Sequence, residues 1–246
     1  MDVRWTAHGR GAPVTLVVHG LGATEGEARI PASGLPGTRV VVTLPGHGGA
    51  PDAPPGYWNY ASVAADVLAV ADEVGATRAV GVSLGAGAVT RIAAERPDRF
   101  ARLALLLPAA LDRPRDVAAT WAFERMAAAV AADDGGAALR TLIAADLPEG
   151  IEVGDYVDRR AEALMRLEEA LRDLPEQAPV ADASALAAVR SEVLVIGATG
   201  DPLHPAEVAK AVAAAFASAR LELLPSPAPM LTHRRELRRL LVDFLG

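Results

Sequence analysis

The sequence predicts an α/β protein: a mostly parallel sheet flanked by helices, with a helical insertion. Three observations carry this. Short β-branched runs alternate with longer alanine-rich segments along the chain. The short runs are almost continuously apolar rather than alternating, as strands buried on both faces are. One stretch of about 70 residues, 109–182, carries helical patterns and no convincing strand, which is too long for a plain crossover.

Taken in order, strands are expected at 14–19 and 39–44, a helix at 60–74, a strand at 78–82, a helix at 84–95 and a strand at 102–107. Within the insertion, helices are expected over 115–132, 136–145 and 156–174. The turns between them are Asp133-Asp134-Gly135-Gly136 and Leu147-Pro148-Glu149-Gly150. Strands return at 192–197 and 220–224, with helices at 205–216 and 232–245. Regular strand–helix–strand alternation builds a parallel sheet with helices on both faces. The expected division is a core of residues 1–108 and 183–246 with a helical cap, 109–182.

Length and composition bound the function. The chain has 246 residues, 51% of them hydrophobic, which is enough for a buried core. Its net charge of −7 argues against a nucleic-acid partner. Without cysteine, thiolate catalysis and cysteine-held metals are excluded. The N-terminus lacks a signal-peptide apolar core, and no apolar run reaches the roughly 18–20 residues of a membrane span. A cytoplasmic protein without a membrane partner is therefore expected. The insertion holds 16 acidic against 8 basic residues, so it accounts for the chain's negative charge. That pattern reads as a solvated helical face, or as an acidic lid that disfavours highly anionic substrates.

The sharpest motif is Val80-Gly81-Val82-Ser83-Leu84-Gly85, which contains G-x-S-x-G. With 22 glycines and seven serines in the chain, chance supplies roughly 0.06 such matches. The motif follows an apolar strand and opens a small-residue helix, the setting a nucleophile elbow requires. Small residues on either side let strand and helix approach while the serine is pushed out of the turn. A glycine-rich nucleotide-binding turn is the competing reading, but G-x-G-x-x-G and G-x-x-x-x-G-K-[ST] are absent.

Together with Val18-His19-Gly20-Leu21-Gly22, Leu44-Pro45-Gly46-His47-Gly48 and Gly197-Ala198-Thr199-Gly200-Asp201-Pro202, the elbow makes the chain resemble an α/β-hydrolase-fold protein from about residue 14 to its C-terminus. The resemblance implies a nucleophile–acid–base order along the chain, which Ser83, Asp201 and His233 fit. Asp112 is the fallback acid. It also implies an oxyanion hole from the backbone N–H groups of Leu21 and Leu84. The base departs from the family's pattern. A Gly-His pair commonly follows the last strand, whereas here the stretch reads Leu224-Pro225-Ser226-Pro227-Ala228-Pro229 and His233 comes several residues late. If His233 does not serve, His204 or His19 would act in another geometry.

His204 lies three residues past Asp201 and is a candidate to face the pocket. His19 and His47 read as structural. Trp58, in an aromatic-rich loop, and Trp121, Phe123, Met126, Tyr156, Leu164 and Met165, on the insertion, are the candidate substrate walls. No histidine pair has metal-ligand spacing, so no metal or cofactor is expected. The expected function is hydrolysis of an ester, lactone or thioester of a small, fairly apolar molecule through an acyl-serine. A lyase, cyclase or C–C bond hydrolase on the same fold, or a non-catalytic small-ligand binder, are the alternatives. The sequence leaves the oligomeric state open.

Overall fold

The computed structural model describes residues 3–132 and 134–246. Seven strands form one sheet: β1 (Arg4–Gly9), β2 (Val14–Val18), β3 (Thr38–Thr43), β4 (Arg78–Val82), β5 (Arg102–Leu106), β6 (Glu192–Ala198) and β7 (Ala219–Leu224). Their spatial order is β1-β3-β2-β4-β5-β6-β7. All neighbours are parallel except β1, which runs antiparallel to β3 with Arg4 opposite Thr43. The six strands expected from sequence are present. The seventh, β1, was not expected: it lies at the sheet edge with almost every residue exposed, so it has no apolar face to signal it.

The helices are α1 (Glu25–Arg29), α2 (Tyr60–Glu73), α3 (Leu84–Glu95), α4 (Val117–Ala131), α5 (Ala137–Ala145), α6 (Tyr156–Met165), α7 (Glu168–Asp173), α8 (Ala206–Ala215), α9 (Pro229–Thr232) and α10 (Arg234–Leu245). Side chains alternate across the strands, and from β2 to β6 both sets are buried. Leu16, Val40, Val42, Leu103 and Leu105 pack with Val63 and Val67 of α2 and Val89 and Ile92 of α3. Val17, Val41, Val80, Leu106 and Ile196 pack on the other face against Leu237, Leu240, Leu241 and Leu245. Those four leucines form one stripe of α10, opposite a run of arginines. Burial on both faces is why the strands read as unbroken apolar runs.

The insertion between β5 and β6 contains α4 to α7. Its expected helix over 156–174 is divided instead. Arg166 leaves the helix and reaches the core, donating from Nη2 to the Ala50 carbonyl (2.8 Å) and from Nε to Asp52 (2.9 Å), while Leu167 is fully buried. These contacts offset the lost helical turn and fix the insertion to the loop after β3. The turn expected at 133–136 includes Asp133, which lies outside the described residues. The expected C-terminal helix is also split, at His233, where φ is −118° and ψ 32°.

Leu240 is 1% exposed at the centre of the α10 stripe. Leu240→Ala is expected to lower the unfolding free energy by about 2–5 kcal/mol in a urea titration. A loss well under about 1 kcal/mol would mean that α10 does not seal this face of the sheet.

Candidate active site

Ser83 joins β4 to α3 with φ 52° and ψ −109°, a left-handed backbone for a residue that is not glycine. Such strain costs on the order of 1–3 kcal/mol and persists only where the surroundings enforce it. Here the Ser83 N–H donates to the Leu106 carbonyl of β5 (2.9 Å), and its own carbonyl accepts from Gly87 of α3 (3.0 Å). The flanking glycines are sterically required. A Cβ on Gly81 would collide with the backbone of Gly85, and one on Gly85 with the carbonyls of Val18 and His19. The G-x-S-x-G spacing is thus the contact between β4, α3 and the end of β2.

The imidazole at Ser83 belongs to His204. Its Nε2 lies 2.8 Å from Ser83 Oγ, and its Nδ1 lies 2.7 Å from Asp201 Oδ2. Asp201 emerges just past β6 and organises its own loop: Oδ1 accepts from the backbone N–H of Leu203 (2.9 Å) and of His204 (3.2 Å). Burial pushes the Asp201 carboxyl up, but the His204 ring and those two amides outweigh it and hold the carboxyl below its ordinary range.

The expectation that His233 reaches Ser83 is not met. Its Nδ1 pairs with Thr232 Oγ1 (2.7 Å) at the α9–α10 junction, and it lines neither of the cavities described below. Three prolines in the preceding loop and the short turn of α9 take the chain past the serine before His233 is reached. Asp112, the fallback acid, borders a different surface cleft.

The loop after β2 supplies Gly20, Leu21 and Gly22 beside Ser83. It is held from below by two buried histidines with ring centroids 4.5 Å apart. His47 Nε2 accepts the Gly22 N–H (2.9 Å), and His19 Nε2 accepts the Leu44 N–H (3.2 Å). The Nδ1 atom of each faces a carbonyl, of Pro45 for His47 and of Gly20 for His19, both at 2.8 Å. These contacts select the neutral Nδ1–H tautomer, and burial lowers both pKa values, His47 well below 6.5. On the other side of the serine, the Leu84 N–H opens α3 and has no intrahelical partner.

Two adjoining cavities meet at His204, and the inner one reaches the serine. The inner one, about 120 Å³, is lined by His19, Leu21, Ser83, Phe123, Leu164 and His204 among others. The outer one, about 440 Å³, includes Trp121, Tyr156, Asp201 and Pro227. Leu107, Met126, Leu203 and Met230 border both. Of the expected walls, Phe123, Met126, Leu164, Trp121 and Tyr156 are therefore in place. Trp58 is not: it is 2% exposed and packs edge-on to Tyr57 and His47 beneath the oxyanion loop. Met165 packs against the core.

The description "Alpha/beta hydrolase family" matches residues 15–240. The chain belongs to this family. Among solved structures, this alpha/beta hydrolase is similar to a hydrolase from Pseudomonas aeruginosa PA01 (24% identity, TM-score 0.80, covering 99% of this chain and 94% of that one). It is also similar to an esterase from Exiguobacterium antarcticum (17%, TM-score 0.79, 99% and 95%). A third is the enol-lactonase from Burkholderia xenovorans LB400 (20%, TM-score 0.77, 99% and 96%). At these identities the likeness concerns the fold. No curated protein matches the chain.

Two polar residues of this alpha/beta hydrolase's cavities, Glu27 and Arg160, are not among the expected site residues. Tyr156, an expected wall, lines the outer cavity, and its hydroxyl donates to Glu27 Oε1 (3.1 Å). Glu27 was legible as the end of a Thr24-x-x-Glu27 capping box, which forms, but not as a cavity residue. Arg160 is one of many arginines in the chain, and no spacing singled it out.

The neutral histidine pair gives the family member an acid sensitivity. The unfolded chain takes up a proton at His47 near pH 6.5, whereas burial keeps the folded ring neutral to lower pH. Below 6.5 the unfolded state binds more protons, so stability falls as pH drops, by about 1.4 kcal/mol per pH unit for one such group. Urea titrations between pH 7 and about 5 are expected to show this slope and to show less of it in His47→Gln. An unchanged slope would place the acid sensitivity elsewhere.

Proposed function

We propose that the protein is a serine hydrolase that cleaves an ester, lactone or thioester of a small, fairly apolar substrate through an acyl-serine intermediate. The observation that carries this is the unbroken relay Ser83 Oγ–His204 Nε2–Asp201 Oδ2, at 2.8 and 2.7 Å.

The roles follow from chemistry. A serine hydroxyl becomes an effective nucleophile when a base takes its proton as it attacks. His204 Nε2 receives that proton. Asp201 stays ionised at neutral pH, keeps the Nδ1–H tautomer and stabilises the imidazolium that forms. The tetrahedral oxyanion is received by the N–H groups of Leu84 and Leu21, with the N-terminus of α3 adding favourable potential. His204 then returns the proton to the leaving group, the acyl-serine forms, and water repeats the sequence in reverse.

The apolar walls Phe123, Met126, Leu164 and Leu203 suit an acyl or alcohol portion without many polar groups. The esterase and enol-lactonase among the fold's neighbours agree with an ester or lactone as substrate. His233 has no part in this reading.

Fluorophosphonate labelling followed by peptide mass spectrometry tests it, with short-chain methyl and p-nitrophenyl esters as substrates. Wild-type protein is expected to label at Ser83, and Ser83→Ala to be unlabelled and inactive. His204→Ala is expected to lose about 10³- to 10⁴-fold or more in kcat, and Asp201→Asn about as much, through the wrong tautomer. His233→Ala is expected to stay within about threefold of wild type. Labelling that survived His204→Ala but not His233→Ala would overturn the assignment of the base. A folded protein with an open pocket and no labelling at all would favour a non-catalytic ligand binder.

A further inference from the structure

The cavities are largely apolar, and two arginines border them: Arg160 and, in the outer one, Arg125. Arg160, on α6, borders both of them with its side chain 22% exposed. Its guanidinium lies 6.0 Å from the Tyr156 ring centroid. One nitrogen is committed: Nη1 donates to the Gly22 carbonyl (3.3 Å) and lies 3.5 Å from Glu27 Oε2. Glu27 is itself occupied elsewhere, since Oε2 accepts the Thr24 N–H (2.9 Å) and Oε1 the Tyr156 hydroxyl (3.1 Å). The ion pair is therefore long and shared. Both of these contacts use Nη1, and a further side-chain hydrogen bond joins the guanidinium to Tyr156. A guanidinium carries five N–H donors, so among the described residues two remain for a ligand, and such donors grip a carboxylate through two parallel bonds.

We propose that Arg160 is a substrate-recognition residue, and that the substrate carries a carboxylate at the end remote from the bond that Ser83 attacks. This rests on the hydrolase reading above and narrows its substrate to a carboxylated ester or lactone. An apolar compound would leave the remaining donors of Arg160 facing a hydrophobic chain, with nothing to replace the water it displaced. A carboxylate satisfies those donors, and the apolar walls between it and Ser83 fit the short hydrocarbon spacer joining the two ends. The net charge of −8 on the insertion does not oppose this. Surface charges are screened over about 8 Å at physiological ionic strength, whereas Arg160 touches its ligand directly.

The test compares monomethyl succinate, glutarate and adipate with the neutral methyl esters of butyrate, pentanoate and hexanoate. Butyryl glycolate, with the carboxylate on the alcohol side, forms a separate arm. Hydrolysis is followed by proton release. In the wild type the best carboxylated ester is expected to exceed its neutral counterpart in kcat/KM by about 10-fold or more. The arm that shows the preference tells which side of the scissile bond faces Arg160. In Arg160→Gln that ratio is expected to fall about 10- to 100-fold, mainly through KM for the carboxylated ester, and Arg160→Lys is expected to restore part of it. Equal turnover of neutral and carboxylated esters by the wild type overturns the proposal while leaving the hydrolase reading intact. So does a ratio unmoved in both variants. Should Arg160→Gln not fold, the wild-type ratio still decides. Absence of Ser83 labelling and of ester turnover removes the hydrolase reading, and this proposal with it.

Discussion

Ser83 keeps its left-handed backbone because β4 and α3 meet with no side chain between them. Gly81 faces the backbone of Gly85, and Gly85 faces the last carbonyls of the β2 segment. That triple contact fixes three things at once: the height of the serine above the sheet, the direction of the α3 N-terminus and the position of the loop carrying Gly20 and Leu21. The rest of the site is arranged around this contact. Neighbouring β5 holds the serine amide, and the two buried histidines support the oxyanion loop from beneath. A strained turn of this kind draws on the stability of a sheet packed on both faces, which the α2–α3 and α10 layers supply.

Asp201 and His204 share one loop. Asp201 uses one carboxylate oxygen to bind two amides of its own turn and the other to orient a ring three residues on. The ring's position is therefore set locally and does not depend on a separate segment docking against the site. The loop after β7 is rich in prolines, and Pro227, Pro229 and Met230 form a wall of the outer cavity. Its polar groups are satisfied internally, with Ser226 Oγ 2.6 Å from Thr232 Oγ1.

What the sequence made legible depended on whether a feature was local. Strands buried on both faces announce themselves as apolar runs, so β2 to β6 could be read; β7, a partly buried edge strand, keeps enough apolar residues to be read with them, while β1, almost wholly exposed at the other edge, could not. Ser83 was legible because its turn requires glycines at fixed offsets. Asp201 was legible as the acid just past a late strand. The histidine was misplaced because the family's usual order pointed beyond β7, whereas the actual partner is decided by a turn only four residues long. That signal was present: an Asx-type turn brings residue i+3 back over the carboxylate of residue i. Trp58 was misread for a different reason. An aromatic loop near the sheet's edge looks the same in sequence whether it lines the cavity or lies beneath it, and only packing against His47 decides. Arg160 had no local signature at all, since its role arises from contacts with residues more than a hundred positions away.

Helix α6 of the insertion packs directly on the loop after β2. Leu164 packs so closely on Gly22 that a Cβ there would overlap it, and Arg160, one turn earlier, donates to the Gly22 carbonyl. The Gly22 N–H is meanwhile held by His47. The oxyanion loop is thus clamped between the core histidines below and α6 above. On the proposed reading, a substrate carboxylate at Arg160 would draw on the same guanidinium that holds Gly22 O, so recognition of the remote end of a substrate and alignment of the Leu21 amide would be mechanically linked. Binding energy gained far from the scissile bond can in this way be expressed in the geometry at the reacting carbonyl, which is where it accelerates the chemistry rather than merely tightening the complex.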